Sequence, residues 1–500
     1  MKPEKNNTIV RPPVIAIMGH IDHGKSTLLD YIRKSNIVDK EAGGITQHVG
    51  AYEVVHKAKD GKESKITFLD TPGHAAFTGI RSRGVRVADI AVLVVSAEDG
   101  VKAQTIEALK TIQAEEIPYI IAITKIDKPN ANIELAKQSM ATNEIYVEGY
   151  GGSIPCVPIS AKTGEGVPEL LDMMLLVAEM EELKTDITKP AEGVILESNL
   201  DPKKGISATL ILTDGTLKSG SYVVSGQSSA PVRIMENFAG VKIAEASAPS
   251  PVKIIGWSEM PQIGELFKTV ESKKEAEQIA LEFKEKMDSI PEKKEELNDK
   301  LEIPLVVKAD VSGSLEAIQG EIAKIPQEKV KLKIIQSGIG TISESDVKVA
   351  NGSAGSILIG FSVKIDSQAE SLRERLGVQM QMFDIIYKLV EYLEETVKTR
   401  TPKVMTEEAT GRAKIMKTFS RNKDRQIVGG KVETGEIRTG KEVKILRRDV
   451  EIGRGRIKEL QQQKAKATEI REGYEFGADI EAKIEIAPGD RVECFDVVEK

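Results

Sequence analysis

The octapeptide Gly19-His20-Ile21-Asp22-His23-Gly24-Lys25-Ser26 matches the spacing G-x-x-x-x-G-K-[ST] and lies between an apolar run, Val14–Met18, and an amphipathic stretch, Thr27–Arg33. A strand, a glycine-bounded turn and a helix in that order make a phosphate-binding loop. The glycines let main-chain N–H groups curl around phosphate oxygens, and the helix N-terminus adds partial positive charge. Lys25 can reach the outer phosphates, and the Ser26 hydroxyl can hold Mg²⁺. At ordinary residue frequencies a chance match in a chain of 500 residues is on the order of a few per cent, and the flanking elements lower that further. The stretch therefore fixes an α/β domain with a parallel sheet as the starting point.

Further short patterns follow at the ends of strand-like runs. Asp70-Thr71-Pro72-Gly73 closes Ile66–Leu69. By itself it would be an ordinary turn. Beside a phosphate loop, Asp70 can hold Mg²⁺ and Gly73 can offer its N–H to a γ-phosphate. His74 comes next and can orient an attacking water, a task a Gln performs in some nucleotide hydrolases. Thr124-Lys125-Ile126-Asp127 ends the run Ile120–Thr124. A carboxylate there can accept the N1–H and N2–H₂ donors of guanine, which adenine lacks, so GTP is expected over ATP. Ser160-Ala161-Lys162 follows Cys156–Ile159 and would add a backbone N–H for the guanine O6. The expected nucleotide site thus runs from Gly19 through Thr27, takes in Asp70, Thr71, Pro72, Gly73 and His74, and adds Thr124, Lys125, Asp127, Ser160, Ala161 and Lys162. A zinc reading of His20 and His23 lacks Cys or His partners at the usual spacing.

The bulk composition suits several ordinary cores. Of the residues 40% are apolar and 29% charged, while only 4% are aromatic, so the cores should be built from Ile, Val and Leu. Cys156 and Cys494 stand far apart and indicate neither a disulfide framework nor a metal site. No run is long and apolar enough to cross a bilayer, and the start, Met1 to Asn7, is polar; a cytoplasmic protein with no membrane partner is expected. The net charge of −7 argues against general coating of nucleic acid, yet Gly411 to Lys466 holds 17 Lys or Arg against 7 Asp or Glu. That local excess can either neutralise phosphates or form a solvated face of β-hairpins.

Strand-helix alternation from Val14 to about Leu183 predicts a P-loop domain over residues 11–184, after a short tail at 1–10. Turn signals separating short β-type runs predict a β-barrel at 190–270. Residues 271–300 are rich in Lys and Glu and read as a linker helix interrupted at Pro291. A small α/β domain without a phosphate loop is expected at 301–381, with its first helix opening near Ser314. A connecting helix at 382–400 and a second barrel at 401–500 complete the chain.

Longer stretches carry a resemblance. Gly19 to Thr27, Glu41-Ala-Gly-Gly-Ile-Thr-Gln-His-Val-Gly50 and Phe68-Leu-Asp-Thr-Pro-Gly-His-Ala-Ala-Phe77 closely resemble the G domain of bacterial initiation factor 2. Ala309 to Ala317 and Ser337 to Asp346 look like that family's third domain, and Gly473-Tyr-Glu-Phe-Gly477 sits where its last barrel binds initiator tRNA. The resemblance implies a translation factor that helps place initiator tRNA on the small ribosomal subunit, promotes large-subunit joining and hydrolyses GTP on the assembled ribosome. It implies Thr46, with Ser26 and Asp70, as Mg²⁺ ligands and His74 as the catalytic residue. Expected partners are ribosomal subunits and their rRNA, formyl-methionyl initiator tRNA and other initiation factors, with the factor itself a monomer. The tRNA end would meet Phe419, Gly430, Glu475, Phe476 and Gly477. The long N-terminal extension common in the family is expected to be absent.

Some positions depart from the family. Thr124 replaces the usual Asn of the base-reading motif, Gly430 and Phe476 stand where cysteines are usual, and Gln461-Gln-Gln463 replaces a basic-plus-aromatic stretch. Alternatives are another translational GTPase or a GTP-dependent RNA-binding assembly factor; ribosome-stimulated turnover separates the latter.

Overall fold

The computed structural model describes residues 8–34, 50–57, 61–71, 75–201, 203–288, 301–327, 329–401, 405–422, 424–463 and 465–499. Two compact units emerge, residues 1–400 and 401–500, and each is taken by itself. No helix among the described residues is long and apolar enough to cross a membrane.

The first unit opens with a six-stranded sheet in the spatial order Gly50–Lys57, Glu63–Asp70, Val14–Gly19, Ile90–Ser96, Tyr119–Thr124, Cys156–Pro158. Only the edge strand Gly50–Lys57 runs antiparallel, pairing with Glu63–Asp70. The inner strands Val14–Gly19 and Ile90–Ser96 are buried along their whole length, as continuous apolar runs require when helices cover both faces of a sheet. On one face Leu28, Leu29 and Ile32 of helix Lys25–Arg33 join Leu170 and Met174 of helix Val167–Met180. On the other, Ala108, Leu109 and Ile112 pack with Ala136 and Met140. Because the central strands are parallel, Gly19, Asp70, Ser96 and Thr124 all finish at the same edge of the sheet.

Residues 192–270 form a seven-stranded antiparallel sheet and a two-stranded ladder of Thr216–Lys218 with Glu245–Ser247, around Ile195, Leu210, Val223, Ile254, Trp257 and Phe267. Helix Lys273–Asp288 follows; Pro291 lies outside the described residues. Next comes a four-stranded parallel sheet ordered Val330–Ile339, Leu301–Ala309, Ile357–Phe361, Met380–Phe383, and its first helix opens at Ser312. Here one expectation is corrected. Met382 is not the start of a helix, because Met380–Phe383 pairs in parallel with Leu358–Phe361 and the helix begins only at Ile386. Phe77 and Ala76, just beyond the Asp70 strand, are buried in the core of this third module beside Leu305, Ile318 and Phe361.

The second unit is a closed barrel. Met405–Asn422, Arg491–Glu499, Glu442–Arg447, Val450–Gln462, Glu475–Ala482 and Arg425–Arg438 pair in that cycle, and the last pairs again with the first. Ile415, Val428, Val443, Ile457 and Ile480 fill its interior.

Candidate nucleotide and RNA sites

Backbone geometry makes the phosphate loop. Gly19 has φ +142°, and a Cβ there would stand 2.5 Å from the Val94 carbonyl oxygen; Gly24, the helix N-cap, has φ +89°. Both positions therefore need glycine. Lys25 is buried, and its Nζ donates to the His20 carbonyl at 2.6 Å, bridging the loop. Burial lowers its ammonium to about 8, against the opposing pull of Asp70. Ile21 N–H donates to Gln104 Oε1 at 3.0 Å, so helix Ala103–Ala114 braces the loop. Gln104 escaped the sequence reading because no short motif joins it to a loop 83 residues away.

His23 is 1% exposed and its Nδ1 accepts from Ser96 N–H at 3.3 Å. Burial holds it down at about 4, so at neutral pH it is a neutral imidazole carrying its proton on Nε2. Burial also lowers His20, whose ring meets that of His23 edge-on at 4.9 Å.

The base-reading residues meet on neighbouring loops. Thr124 Oγ1 donates to the His23 carbonyl at 2.5 Å, which ties this loop to the phosphate loop. Lys125 has φ +62° and lies 3.8 Å from Asp99 and 3.9 Å from Glu98. Ser160 Oγ donates to Asp127 Oδ1 at 2.8 Å, the main cause holding that exposed carboxyl below its usual range. Ser160 is itself buried, while Ala161 and Lys162 lie beside it at the surface of the loop.

Asp70 closes its strand next to Gly50. Thr71 is buried and its hydroxyl donates to the Ile17 carbonyl at 2.9 Å, so this side chain is a tie beneath the site rather than a ligand in it. Pro72, Gly73, His74 and Thr46 lie outside the described residues. The donor set fits Mg²⁺: the Ser26 hydroxyl and the Asp70 carboxylate are hard oxygen ligands, and Mg²⁺ commonly uses one or two carboxylates plus phosphate oxygens.

In the barrel, the five residues expected at the tRNA end divide between two faces. Phe476 is 6% exposed and points inward, and a Cβ on Gly430 opposite would come within 3.0 Å of its ring. These two belong to the core. Phe419 is 67% exposed and its ring lies over Gly429, which faces Gly477 across the ladder; Glu475 faces Lys431. The basic excess is largely neutralised, since Arg421, Arg425, Lys441, Lys444, Arg447, Arg454, Lys458 and Lys466 all pair with carboxylates. Lys414, Lys417 and Lys431 make no ion pair among the described residues, and Lys414 stands directly opposite Lys431. Like charges in that register are unfavourable without an anion between them.

The chain matches three family models: "Elongation factor Tu GTP binding domain" over residues 11–180, "Elongation factor G domain 2" over 190–270 and "Translation-initiation factor 2" over 274–394. Among its relatives, the translation initiation factor IF-2 of Halothermothrix orenii is 41% identical across 99% of this chain and 73% of the relative. That of Rubrobacter xylanophilus is 41% identical across 98% and 72%, and that of Bacillus licheniformis 42% identical across 97% and 69%. Among solved structures, GDP-bound aIF5B from Aeropyrum pernix is 28% identical, with a TM-score of 0.48 over 97% of this chain and 92% of that one.

Proposed function

The chain belongs to the translation initiation factor 2 family, and from that membership we propose that its first module hydrolyses GTP on the assembled ribosome while its last barrel holds the aminoacyl end of initiator tRNA. It is a translational GTPase acting in initiation. One observation carries the site assignment: the phosphate loop, Asp70 and the Thr124–Asp127 loop all stand at the carboxyl ends of the parallel strands of a single sheet, where open α/β sheets take their ligands.

The main-chain N–H groups of Gly19 to Lys25 hold the β- and γ-phosphates, with Lys25 turning from the His20 carbonyl toward them. Asp127, kept ionised by Ser160, accepts the guanine N–H donors, and Thr124 fixes the distance between base and phosphates. Ser26, Thr46 and Asp70 would hold Mg²⁺, which would neutralise charge gathering on the phosphate oxygens. His74 orients the attacking water. Turnover by the factor alone is slow, because full stabilisation of the transition state waits for the ribosome to complete the site.

The barrel surface of Lys414, Lys417 and Lys431 beside the exposed Phe419 suits RNA, with cations for phosphates and a ring on which a base can stack. The factor works as a monomer in the cytoplasm with the other initiation factors. Measuring GTP turnover with and without ribosomal subunits tests the reading. Stimulation of at least about a hundredfold is expected, in line with partner-completed GTPases; no stimulation would favour a GTP-dependent assembly factor.

A further inference from the structure

We infer that Arg33, held over the ring of Tyr52, is a positioning residue for Asp70: a resident cation that balances part of the site's negative charge until Mg²⁺ arrives. The inference rests on Asp70 being the carboxylate of the Mg²⁺ site.

Arg33 is the last residue of the helix that the phosphate loop starts. Its Cζ lies 3.9 Å from the centroid of the Tyr52 ring, and Tyr52 stacks in turn on Phe68 at 5.7 Å. The cation is thus the outer layer of a three-layer stack whose other members are buried. Such a stack restricts a long side chain to one plane. Gly50 is the ladder partner of Asp70, and a Cβ placed on it would be 3.6 Å from Asp70 Cβ and 3.9 Å from Arg33 Nη2. Gly50 has no positive φ to explain a glycine; its missing side chain leaves the guanidinium and the Asp70 side chain flanking the same space.

Two further observations agree. Arg33 Nε is buried without a hydrogen-bond partner among the described residues, so the guanidinium is not satisfied on that side by a hydrogen bond. Tyr52 is held above its ordinary range, first by burial and next by the Asp70 charge, with Arg33 opposing, so both charges are felt at one buried ring.

Electrostatics fixes the sign. A cation near a carboxylate stabilises the empty site, and the same cation repels an incoming Mg²⁺. Removing it should therefore hurt the ligand-free protein more than the loaded one and let Mg²⁺ bind at lower concentration. A side chain that merely packs would cost both states alike.

The test compares the full chain with Arg33→Met, Arg33→Lys, Tyr52→Phe and Tyr52→Leu. Two quantities are read: melting temperature without nucleotide and with GDP and Mg²⁺, and the Mg²⁺ midpoint for retention of a fluorescent GDP. Arg33→Met should lower the ligand-free melting temperature more than the loaded one and move the Mg²⁺ midpoint down by about three- to tenfold. Arg33→Lys and Tyr52→Phe should stay near the parent, and Tyr52→Leu should follow Arg33→Met. Equal losses in both states with an unmoved midpoint overturn the inference. If Arg33→Met does not fold, the same shift is required of Tyr52→Leu, and its absence overturns the inference equally. If the parent chain retains no GDP in Mg²⁺, the nucleotide-site reading itself has failed, and this inference falls with it.

Discussion

Thr124 spends its one hydroxyl proton on the carbonyl of His23, and both groups are buried. Thr124→Val keeps the shape and deletes that bond, leaving a buried carbonyl without its donor, at a cost of about 1–3 kcal/mol. Urea unfolding should show that loss, and GDP should leave faster because the base and phosphate loops are no longer tied. His23 gives a pH signature. Its folded-state value of about 4 lies below the ordinary 6.5, so the neutral ring's contribution is complete above pH 6.5 and drains away as pH falls toward 4. The loss from this group amounts to about 3 kcal/mol. The denaturation midpoint of the ligand-free protein should fall over that window, and His23→Gln should flatten the slope. The motif made His23 legible as a member of the loop, but its burial against Ser96 depends on a strand end far along the chain.

At the level of single elements, the strands of the first sheet were plain in the sequence because apolar runs such as Ile90–Ser96 have no polar alternation to confuse them. The Met380–Phe383 strand was hidden. Met382 begins a helical spacing with Ile386, Leu389 and Leu393, yet it also continues the two-residue alternation Met380-Gln381-Met382; the vacant edge of Ile357–Phe361 decides for the strand. The basic stretch was legible as charge but not as surface. Which lysines are left unpaired follows from ladder register, which single-sequence counting does not give. Lys414→Glu with Lys431→Glu should cut the slope of log affinity for initiator tRNA against log salt by about 1.5 to 2, while Arg421→Gln, whose guanidinium already pairs with Glu485, should change it little. Filter binding across a salt series measures both.

Over the whole molecule, the packing does not respect order along the chain. Phe77 follows the Asp70 strand in sequence but is buried among Leu305, Ile318 and Phe361 of the third module. Phe77→Ala should cost about 3–5 kcal/mol, typical of a large aromatic removed from a core. Hydrogen exchange should report the loss in Leu301–Ala309 as well as around Thr78–Val87. The only tryptophan, Trp257, sits in the core of the second module, so its fluorescence follows that module and not the whole chain. Sequence alone could not join Phe77 to strands more than two hundred positions away.

The ring of ladders from Met405 to Glu499 has one more effect. Each of its six strands finds a partner on both sides over part of its length, so among the described residues it is one-sided stretches such as 417–422 and 495–499 that leave amides onto which an extended peptide could zip. Whatever docks on the rest of the ring is recognised through side chains, and neighbouring copies in a crowded cell have only short lengths of backbone to seize.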